Sequence, residues 1–461
     1  MALGLTACNA PTPHIATSAG LYPSLFQTGV FDYVNRCDPS KPTTVSVDAP
    51  SGTNVSVNGS EPRSGAFQVQ VAQQVGRRFT IQLTIDGNIS RHSVRCLPPD
   101  FPTWSAQRTG TPRAAFYSTA LVEQFAEPTY TAVFDTNGVP IWWLPPRRTI
   151  LLTPLPNGNF AITDVTGGGM QEYDLAGQLV RTVKNVGGPT DFHDVLLLPN
   201  GNYVLATVQQ QTCDLSSWGL TPPNVCLNHV FQELTPAGEL VWSWDTAAHI
   251  PVNETTLQWI AQQRDSVTNG VYDPYHYNSV EPTGDGYILS FRHLDAVYRI
   301  DRNTGSVVWK LSGNKRPESL TLVSDPLNGV SGQHDARLDP VDPANGKVSI
   351  HDNGTLGRGP TRPPRTVVYQ IDLQQRTATL VEQNGDRDVT TSPCCGSFRR
   401  LPGGNWVAGW GGYNSIAEYQ PDGTRVFRLR VGLVYRGIPI LASQHSAAEF
   451  RAGMDAQYAA P

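Results

Sequence analysis

The chain has 461 residues, enough for about two or three ordinary domains or for one small domain beside a large β assembly. Only 16% of it is charged, against 42 Gly, 37 Pro and 10 Trp, a mix that favours a turn-rich all-β protein with few long surface helices. The formal net charge of −5 gives no electrostatic reason to expect nucleic acid or an anionic membrane as a partner.

The first residues resemble the end of a bacterial lipoprotein signal. Leu5-Thr6-Ala7-Cys8 matches a lipobox, and a polar Asn-Ala-Pro-Thr-Pro stretch follows it. Only four residues precede Leu5, fewer than a full signal needs, so the tetrapeptide is either part of a signal that starts upstream or a chance match. We expect residues 1–15 to be a residual signal and tether, with Cys8 as the lipid-anchored residue.

The other six cysteines form an even set without C-x-x-C spacing, which is a poor zinc signature and a fair disulfide signature for an exported protein. Cys37 and Cys96 bracket a small N-terminal unit and are predicted to join. Cys213 and Cys226 would close a short loop between strands. The adjacent pair Cys394-Cys395 is either a strained ring or two free thiols. This pattern favours an extracytoplasmic location, in the periplasm or at the cell surface.

Residues 16–102 are predicted to form a small β-sandwich. Apolar and polar residues alternate over short runs, such as residues 44–47 and 79–85, with Gly and Pro turns between them. The Pro-rich stretch at residues 97–102 makes a stiff boundary at the end of this unit.

From residue 103 to residue 461 the chain repeats a β unit. One half of the unit is a turn followed by an outer strand, in six copies that start at Phe134, Tyr173, Leu234, Ile300, Ile371 and Tyr419. The other half is a hairpin around Pro-Asn-Gly-Asn or a variant, in copies that start at Pro156, Pro199, Thr283, Ala344 and Pro402. Six units predict a six-bladed β-propeller, because radial repetition protects sheet edges, and a solenoid is the alternative. We expect residues 444–446 to pair with strands near Phe116 and to close the ring.

Three histidines share one phase of this repeat. His193, His276 and His334 each open the innermost segment of a unit, and Arg292 ends the second strand of the unit that His276 begins. The innermost strands of a propeller line its channel, so these side chains are predicted to surround one mouth of it. Imidazoles that converge with a guanidinium are typical of a pocket for a small oxyanion.

A single histidine in such a strand is more often bonded to neighbouring backbone than functional, but three at one phase with an arginine favour a site. Asn278 lies two residues after His276, on the same face of its strand, and is predicted to donate to the same pocket. Asp194 and Asp335 directly follow their histidines and point to the other face. We expect them to be turn or supporting groups and not ligands.

Two chemistries fit this set of residues. A histidine cluster could bind zinc with an open position, but Arg292 would repel a cation and no carboxylate shares the channel-facing phase. Alternatively the pocket receives a sulfate or phosphate group. Arginine then holds two oxygens, a neutral imidazole attacks the central atom, and a protonated imidazole stabilises the oxygens or the leaving group.

The motifs read H-D at residues 193–194, H-x-N-S at 276–279, S-x-R-H at 290–293 and Q-H at 333–334. In order and spacing they resemble the bacterial arylsulfate sulfotransferases, over nearly the whole chain. The resemblance implies a six-bladed propeller behind an N-terminal β-sandwich, with His334 as the transiently sulfurylated histidine. It also implies that His193, His276, Asn278 and Arg292 hold the sulfuryl oxygens. The reaction it implies moves sulfate from a phenyl sulfate to another phenol, without phosphoadenosine phosphosulfate or a metal.

One segment departs from the family pattern. Better-known proteobacterial members carry a Lys-Thr pair in a late blade, where this chain reads Cys-Cys-Gly-Ser-Phe-Arg-Arg over residues 394–400. Ser397 or Arg399 is expected to substitute on the acceptor side of the pocket. The chain is also shorter, which suggests smaller loops.

We therefore expect an exported arylsulfate sulfotransferase that exchanges sulfate in two steps through His334, with a phenolic sulfate donor, a phenol acceptor and no cofactor. The first alternative is a non-catalytic propeller that serves binding or scaffolding in the cell envelope. A zinc hydrolase is the second.

Overall fold

The computed structural model describes residues 12–265, 270–339, 346–355 and 361–459. Strands make up 46% of it and helices 8%, which confirms the prediction of an all-β chain. The tetrapeptide that ends at Cys8, and Asn345 in one of the predicted hairpins, lie outside the described residues. Within the described ranges, no helix combines the length and the apolar character that crossing a membrane requires.

The N-terminal part contains two sheets that pack face to face. The strands of the first sheet are β1 (His14–Thr17), β3 (Thr43–Ala49) and β5 (Gly65–Val71). The strands of the second, in order across the sheet, are β2 (Asp32–Asn35), β7 (Asn88–Cys96), β6 (Arg78–Ile85) and β4 (Thr53–Val57). Alternating apolar residues such as Val45 and Val47 meet Val55 and Leu83 between the sheets. The predicted disulfide Cys37–Cys96 is confirmed, with its sulfurs 2.10 Å apart.

Six further sheets follow, numbered 1 to 6, each with four antiparallel strands in order from the first strand outward. Sheet 1 is β34 (Ile438–Ile440), β9 (Phe116–Ala120), β10 (Thr129–Asp135) and β11 (Pro140–Arg147). Sheet 2 is β12 (Thr153–Pro154), β13 (Phe160–Thr163), β14 (Met170–Tyr173) and β15 (Leu179–Val183). Sheet 3 is β16 (Leu196–Leu197), β17 (Tyr203–Cys213), β18 (Asn224–Leu234) and β19 (Leu240–Asp245), with β20 (Val271–Tyr272) parallel to β18.

Sheet 4 is β21 (Tyr277–Pro282), β22 (Gly286–Phe291), β23 (Ala296–Asp301) and β24 (Val307–Ser312). Sheet 5 is β26 (His334–Leu338), β27 (Lys347–Asp352), β28 (Arg365–Asp372) and β29 (Thr377–Asn384), with β25 (Thr321–Val323) parallel to β29. Sheet 6 is β30 (Ser397–Arg400), β31 (Trp406–Gly409), β32 (Ser415–Tyr419) and β33 (Arg425–Arg430), with β8 (Ser105–Arg108) on its outer edge. The α-helices among the described residues are α1 (Thr246–His249), α2 (Leu257–Asp265) and α3 (Ala447–Gln457).

Each copy of the predicted turn-and-strand half falls in one of these sheets, where it joins the third strand to the fourth. The turn residues explain the geometry. In sheet 1, Asp135 accepts from the backbone N–H groups of Asn137 and Val139, at 2.8 Å each, and Gly138 takes the positive φ of the turn. The second predicted disulfide, Cys213–Cys226, is also confirmed and joins β17 to β18.

Apolar residues pack each sheet on the next. Sheets 1 and 2 meet where Trp142 stacks on Phe160, with ring centroids 4.8 Å apart. Further clusters join sheets 2 and 3, 3 and 4, 4 and 5, and 5 and 6. Sheet 6 returns to sheet 1 where Phe427 stacks on Tyr117 at 4.6 Å. The all-β class is observed directly, and the propeller arrangement stays a prediction.

The closing strand is not the predicted one. The segment that pairs with β9 is β34, with Ile438 opposite Ser118, so the prediction that residues 444–446 pair near Phe116 was wrong. Ser446 instead begins α3, where it forms a capping box with Glu449. The sequence Ser-Ala-Ala-Glu favours this helix start over a strand. At the other end of the repeat region, β8 pairs with β33 and completes sheet 6.

The Asn side chains of the Asn-Gly-Asn turns also make contacts that the sequence pattern did not predict. Their side-chain amides donate to a buried glutamate on the third strand of the same sheet. The pairs are Asn157 and Asn159 with Glu172, Asn200 and Asn202 with Glu233, and Asn405 with Glu418. The turn sequence therefore fixes the hairpin to the body of its sheet as well as setting the positive φ.

Glu418 is expected to contribute strongly to stability. Its buried carboxylate accepts from the N–H groups of Arg113 (2.6 Å) and Ala114 (3.2 Å), from the Tyr117 hydroxyl (2.7 Å) and from Asn405 (2.7 Å). We expect Glu418→Ala to lower the free energy of unfolding by about 3 kcal/mol or more in chemical denaturation, because several buried donors lose their acceptor. The matched control, Glu239→Ala at an exposed turn, is expected to change it by less than about 0.5 kcal/mol. Equal effects of the two substitutions would contradict this role.

Candidate active site

The three predicted histidines lie at the starts of the first strands of neighbouring sheets. His193 precedes β16, His276 precedes β21, and His334 begins β26. The imidazole centroids of His193 and His276 are 5.1 Å apart. Arg292 begins a 3-10 turn, Arg292–Leu294, at the end of β22, and its backbone N–H donates to the His276 carbonyl at 2.9 Å. The structure thus brings Arg292 to the end of the sheet where His276 lies.

Contacts continue from His276 to the sixth sheet. The imidazole of His276 stacks on that of His293, with centroids 4.4 Å apart. Nε2 of His293 accepts from Nη1 of Arg292 at 2.9 Å, because Nδ1 of the same ring faces the Asp273 carbonyl at 2.6 Å. The other terminal nitrogen of Arg292 donates to the Pro393 carbonyl at 3.0 Å, in the loop before β30.

His334 contacts the same loop before β30 that Arg292 contacts. Its Nδ1 lies 2.8 Å from Oδ1 of Asn353 and 3.1 Å from the Gly332 carbonyl, so Nδ1 carries the proton and the lone pair is on Nε2. Nε2 accepts from the backbone N–H of Cys395 at 3.2 Å. The ring of Tyr435 lies between His334 and His193, with centroid distances of 6.3 and 5.8 Å.

Two of the histidines are oriented by carboxylates. Nδ1 of His193 lies 2.8 Å from Asp191, and Nδ1 of His276 lies 2.6 Å from Asp273. Burial opposes ionisation of both aspartates, but the adjacent imidazoles hold the pKa of each carboxyl well below its usual range. Burial lowers the pKa of His276, and the Asp273 carboxylate acts against that shift. In both dyads the carboxylate contacts Nδ1 of the histidine and not Nε2.

His334 has a different partner, and its electrostatics differ accordingly. Burial and the charge of Arg292 hold the pKa of His334 well below its usual range, and the neutral Asn353 amide opposes this only through its hydrogen bond. His334 is therefore a neutral imidazole with a defined tautomer, which is the form a nucleophile requires. Asn353 is itself held by three bonds from Nδ2, to the carbonyl and hydroxyl of Ser392 and to the Cys395 carbonyl.

Arg292 carries a buried charge and forms no ion pair with a carboxylate in the described part of the chain, although the more distant Asp295 and Asp273 favour its charged form. The other buried arginines all form ion pairs with aspartates, namely Arg95, Arg337, Arg365, Arg428 and Arg436. Arg292 is only 9% exposed, lies over the Trp259 ring at 4.4 Å, and has an Nε without a hydrogen-bond partner among the described residues. Because an unpaired buried cation is costly, this arrangement suits an anionic ligand.

Three non-glycine residues at this site have left-handed backbones, with φ of +49° at His276, +58° at Asp335 and +67° at Cys395. Such conformations are unfavourable for L-residues and concentrate where a structure positions functional groups. At this site they turn the chain at the entry to the first strands of sheets 4, 5 and 6.

The remaining predicted residues lie in different surroundings. Asn278 is buried beside the site, where Nδ2 donates to the Gln333 carbonyl at 2.8 Å and Oδ1 accepts from the Asp335 N–H at 3.3 Å. The amide nitrogen of Asn278 carries a second hydrogen besides the one it donates to Gln333. The structure does not bring Ser397 or Arg399 to His334. The Ser397 hydroxyl bonds the backbone of Gly437, and Arg399 pairs with Asp335.

Asp194 and Asp335 both pair with Arg337, at 2.6 and 2.9 Å. Asp335 also pairs with Arg436, which in turn donates to the Asn278 carbonyl. The left-handed Asp335 and the irregular register between β26 and β27 redirect these side chains. They support the site as predicted, but as a buried ion network.

A metal could be considered at Asp273, His276 and His293, whose ligand atoms lie within 4.8 Å of one another. The geometry argues against it. Both ring nitrogens of His293 are already bonded, one to a carbonyl and one to the Arg292 guanidinium. A cation would have to displace a permanent positive charge from the same place. This cluster is better explained as a support for His276.

Several residues of the site were missed from the sequence. Asp191 and Asp273, at two and three residues before their histidines, could have been found as orienting carboxylates for His193 and His276. His293 belongs to the S-x-R-H motif, but the motif alone gave it no role. Asn353 gave no signal, because its contact with His334 crosses from one strand end to another.

Solved structures give only distant likenesses. A protein of unknown function from Bacteroides caccae is 12% identical with a TM-score of 0.43, over 71% of this chain and 99% of that chain. Virginiamycin B lyase from Staphylococcus aureus is 10% identical at 0.35, over 75% and 90%. Kuenenia stuttgartiensis hydrazine synthase is 10% identical at 0.39, over 72% and 91%. Similarities at this level indicate no function for this chain. No curated protein matches it.

A family model gives a clear result. The model described as Arylsulfotransferase (ASST) matches residues 158–432, more than half of the chain. The matched range includes His193, His276, Arg292, His334 and the cysteine pair. The resemblance that the sequence motifs indicated is confirmed, and the chain belongs to the arylsulfotransferase (ASST) family.

Proposed function

We propose that the protein is an arylsulfate sulfotransferase that moves a sulfuryl group from a phenolic sulfate ester to a phenol through a covalent intermediate on His334. The observation that carries the proposal is the unpaired, buried charge of Arg292 beside three imidazoles. Such a pocket suits a sulfuryl group, and family membership supports an arylsulfotransferase activity in general. Phosphoadenosine phosphosulfate and a metal have no part in the proposed reaction.

In the first step the Nε2 lone pair of His334 attacks the sulfur of the donor. The N–S bond forms as the bond from sulfur to the phenolic oxygen breaks, and the leaving phenolate takes a proton. We assign the transfer of that proton to His276 or His193, because a carboxylate holds Nδ1 of each ring. In the second step an acceptor phenol gives its proton to the same histidine and attacks the sulfur, which frees His334.

Sulfuryl transfer resembles phosphoryl transfer, in which charge spreads over three equatorial oxygens in a loose transition state. Catalysis then rests on donors placed at those oxygens. The Nε and terminal nitrogens of Arg292, the second amide hydrogen of Asn278, and His193 and His276 are the candidate donors. In the structure the Cys395 N–H donates to Nε2 of His334. This hydrogen bond must break before Nε2 can attack the bound aryl sulfate.

The same proposal includes the architecture and the location. The six sheets form the blades of a six-bladed propeller at residues 103–461, supported by the packing of each sheet on the next and of the sixth on the first. The sandwich domain extends to residue 102 and begins with β1 at His14, two residues before the predicted boundary at residue 16, and the residues before it form the tether with a lipid anchor at Cys8. Two disulfides support an extracytoplasmic location, because such bonds persist in oxidising compartments.

Steady-state kinetics test the reaction. With p-nitrophenyl sulfate as donor and phenol as acceptor, we expect release of p-nitrophenol with parallel double-reciprocal lines, because the donor product leaves before the acceptor binds. His334→Asn is expected to abolish exchange. The control His249→Asn, at an exposed position outside the site, is expected to retain the wild-type rate. Intersecting lines, or exchange by His334→Asn, would refute the covalent route.

Arg292→Lys separates charge from geometry. A lysine keeps one positive charge but loses the planar fork that spans two oxygens. We expect kcat to fall by about a hundredfold, with a smaller change in KM, because the lost contacts matter most in the transition state. A turnover number equal to that of the wild type would place Arg292 outside the reacting site.

Asn353 is expected to be a positioning residue whose neutrality matters. Asn353→Asp would place a carboxylate beside the Nδ1–H of His334, which raises the pKa of His334 and favours a protonated ring without a lone pair. We expect the acidic limb of the kcat/KM profile to move to higher pH by about one unit or more. Asn353→Ala, which adds no charge, is expected to lower the rate without that movement. An NMR titration in which Asn353→Asp leaves the pKa of His334 unchanged would contradict the assignment.

A further inference from the structure

The loop before β30 carries two adjacent cysteines, and this loop touches both of the groups on which the proposed reaction depends. Pro393 accepts from Arg292 at 3.0 Å, and the N–H of Cys395 donates to Nε2 of His334 at 3.2 Å. The reaction proposed above gives the two thiols no role. Cys395 itself makes one of these contacts, and Cys394 lies between Cys395 and Pro393.

The loop is held tightly on its other sides. The Cys395 carbonyl accepts from Asn353 at 2.9 Å, and the Cys394 carbonyl accepts from the Gly412 N–H at 3.2 Å. Gly396 has φ of +109°, and a Cβ there would lie 2.4 Å from the His351 ring. A glycine is therefore required for the loop to approach His351. With its carbonyls and its neighbours fixed, the loop has little freedom except through the cysteine pair itself.

The two cysteines are free thiols whose sulfurs lie 2.6 Å apart. Cys394 is partly exposed and Cys395 is buried. The contact with the Cys395 thiol, followed by the positive charge of Arg292, lowers the pKa of Cys394, and burial acts against this shift. The same contact, together with burial, raises the pKa of Cys395. Cys394 is thus the more exposed and the more acidic of the two thiols, as the attacking thiol of a disulfide exchange must be, which leaves Cys395 to resolve the mixed disulfide.

We propose that Cys394 and Cys395 form a reversible vicinal disulfide, made by exchange with a small-molecule disulfide, and that this bond controls access to His334. The proposal rests in part on the sulfotransferase function, because control of His334 has meaning only if His334 reacts. The formation of a disulfide between Cys394 and Cys395 is argued from the geometry of the loop alone and does not require the sulfotransferase function. Cys37–Cys96 and Cys213–Cys226 show that other pairs of this chain are oxidised.

The chemistry is ordinary thiol–disulfide exchange. The Cys394 thiolate attacks one sulfur of the small disulfide, forms a mixed disulfide and releases one thiolate. Cys395 then loses its proton and attacks the Cys394 sulfur, which releases the second thiolate. Two protein thiols are oxidised and one small disulfide is reduced to two thiols. A ring between adjacent residues is strained, and strained disulfides are readily reduced, so the bond is expected to reverse.

Closure of the ring is expected to inhibit the enzyme. A disulfide needs the sulfurs at about 2.05 Å, so they must approach by only about half an ångström. We expect the Cys395 N–H to stay on Nε2 of His334 in the ring, because Asn353 holds the Cys395 carbonyl. A ring across residues 394 and 395 would stiffen the peptide that must move away before His334 attacks. Oxidation is thus expected to keep Nε2 of His334 hydrogen-bonded to the Cys395 N–H.

Thiol mapping tests the site without any need for activity. The full chain would be treated with oxidised glutathione, alkylated with iodoacetamide and digested. We expect the peptide with Cys394 and Cys395 to lose two hydrogens in mass and to escape alkylation, and dithiothreitol to restore both alkylated thiols. Alkylation of both cysteines after oxidant, or a glutathione adduct that persists on Cys394, would overturn the proposal.

Measurements of exchange activity test whether the disulfide regulates the enzyme. We expect oxidation to lower kcat/KM on the order of tenfold or more, since small displacements at a reacting centre are costly, and reductant to restore it. Cys394→Ser and the double variant Cys394→Ser/Cys395→Ser serve as matched controls, because both lack the attacking thiol and keep the other disulfides. Whatever their starting rates, these rates should be the same after oxidant as after reductant. If oxidant changed the rates of the variants and of the wild type equally, the effect would belong to the other disulfides, and regulation by Cys394 and Cys395 would be refuted. A reversible disulfide in a protein without exchange activity would instead refute the proposed function and leave the redox site standing.

Discussion

The hydrogen bond from Nδ1 of His334 to Asn353 is the interaction on which the site depends. It fixes the proton on Nδ1, leaves the lone pair on Nε2, and does so with a neutral partner. With a carboxylate in that place, His334 would resemble His193 and His276, which are paired with Asp191 and Asp273. In the proposed mechanism, the difference between an amide and a carboxylate partner distinguishes the nucleophile His334 from the proton carriers His193 and His276.

A second constraint is the distribution of buried charge. Arg337, Arg399 and Arg436 are all paired with aspartates, namely Asp194 and Asp335. Arg292 stands apart, with a histidine, a carbonyl and an aromatic ring as its neighbours. The positive charge available to a ligand is thereby concentrated at one place. A sulfuryl group that enters there meets the guanidinium and a neutral nucleophile together.

Much of this could be predicted from the sequence, for identifiable physical reasons. The tight turns require Asn-Gly or Asp-rich segments, so the repeat revealed the strands, and the phase of the repeat brought His193, His276 and His334 together. What could not be predicted depends on contacts between distant segments. Asn353 meets His334 across two strand ends, and Ser397 is directed by Gly437 and not by the pocket. The segment at residues 444–446 was misread because a capping box and a strand start use similar polar residues.

The proposed chemistry requires His334 to carry the sulfuryl group between donor and acceptor. The most direct measurement mixes the protein with an aryl sulfate in the absence of acceptor, quenches it within one turnover under alkaline conditions and maps the adduct by mass spectrometry. We expect one sulfuryl group on the peptide that contains His334, formed in step with one equivalent of phenol and lost when an acceptor phenol is added. An adduct on the peptide of His193 or His276, or phenol release without any adduct, would contradict this role of His334.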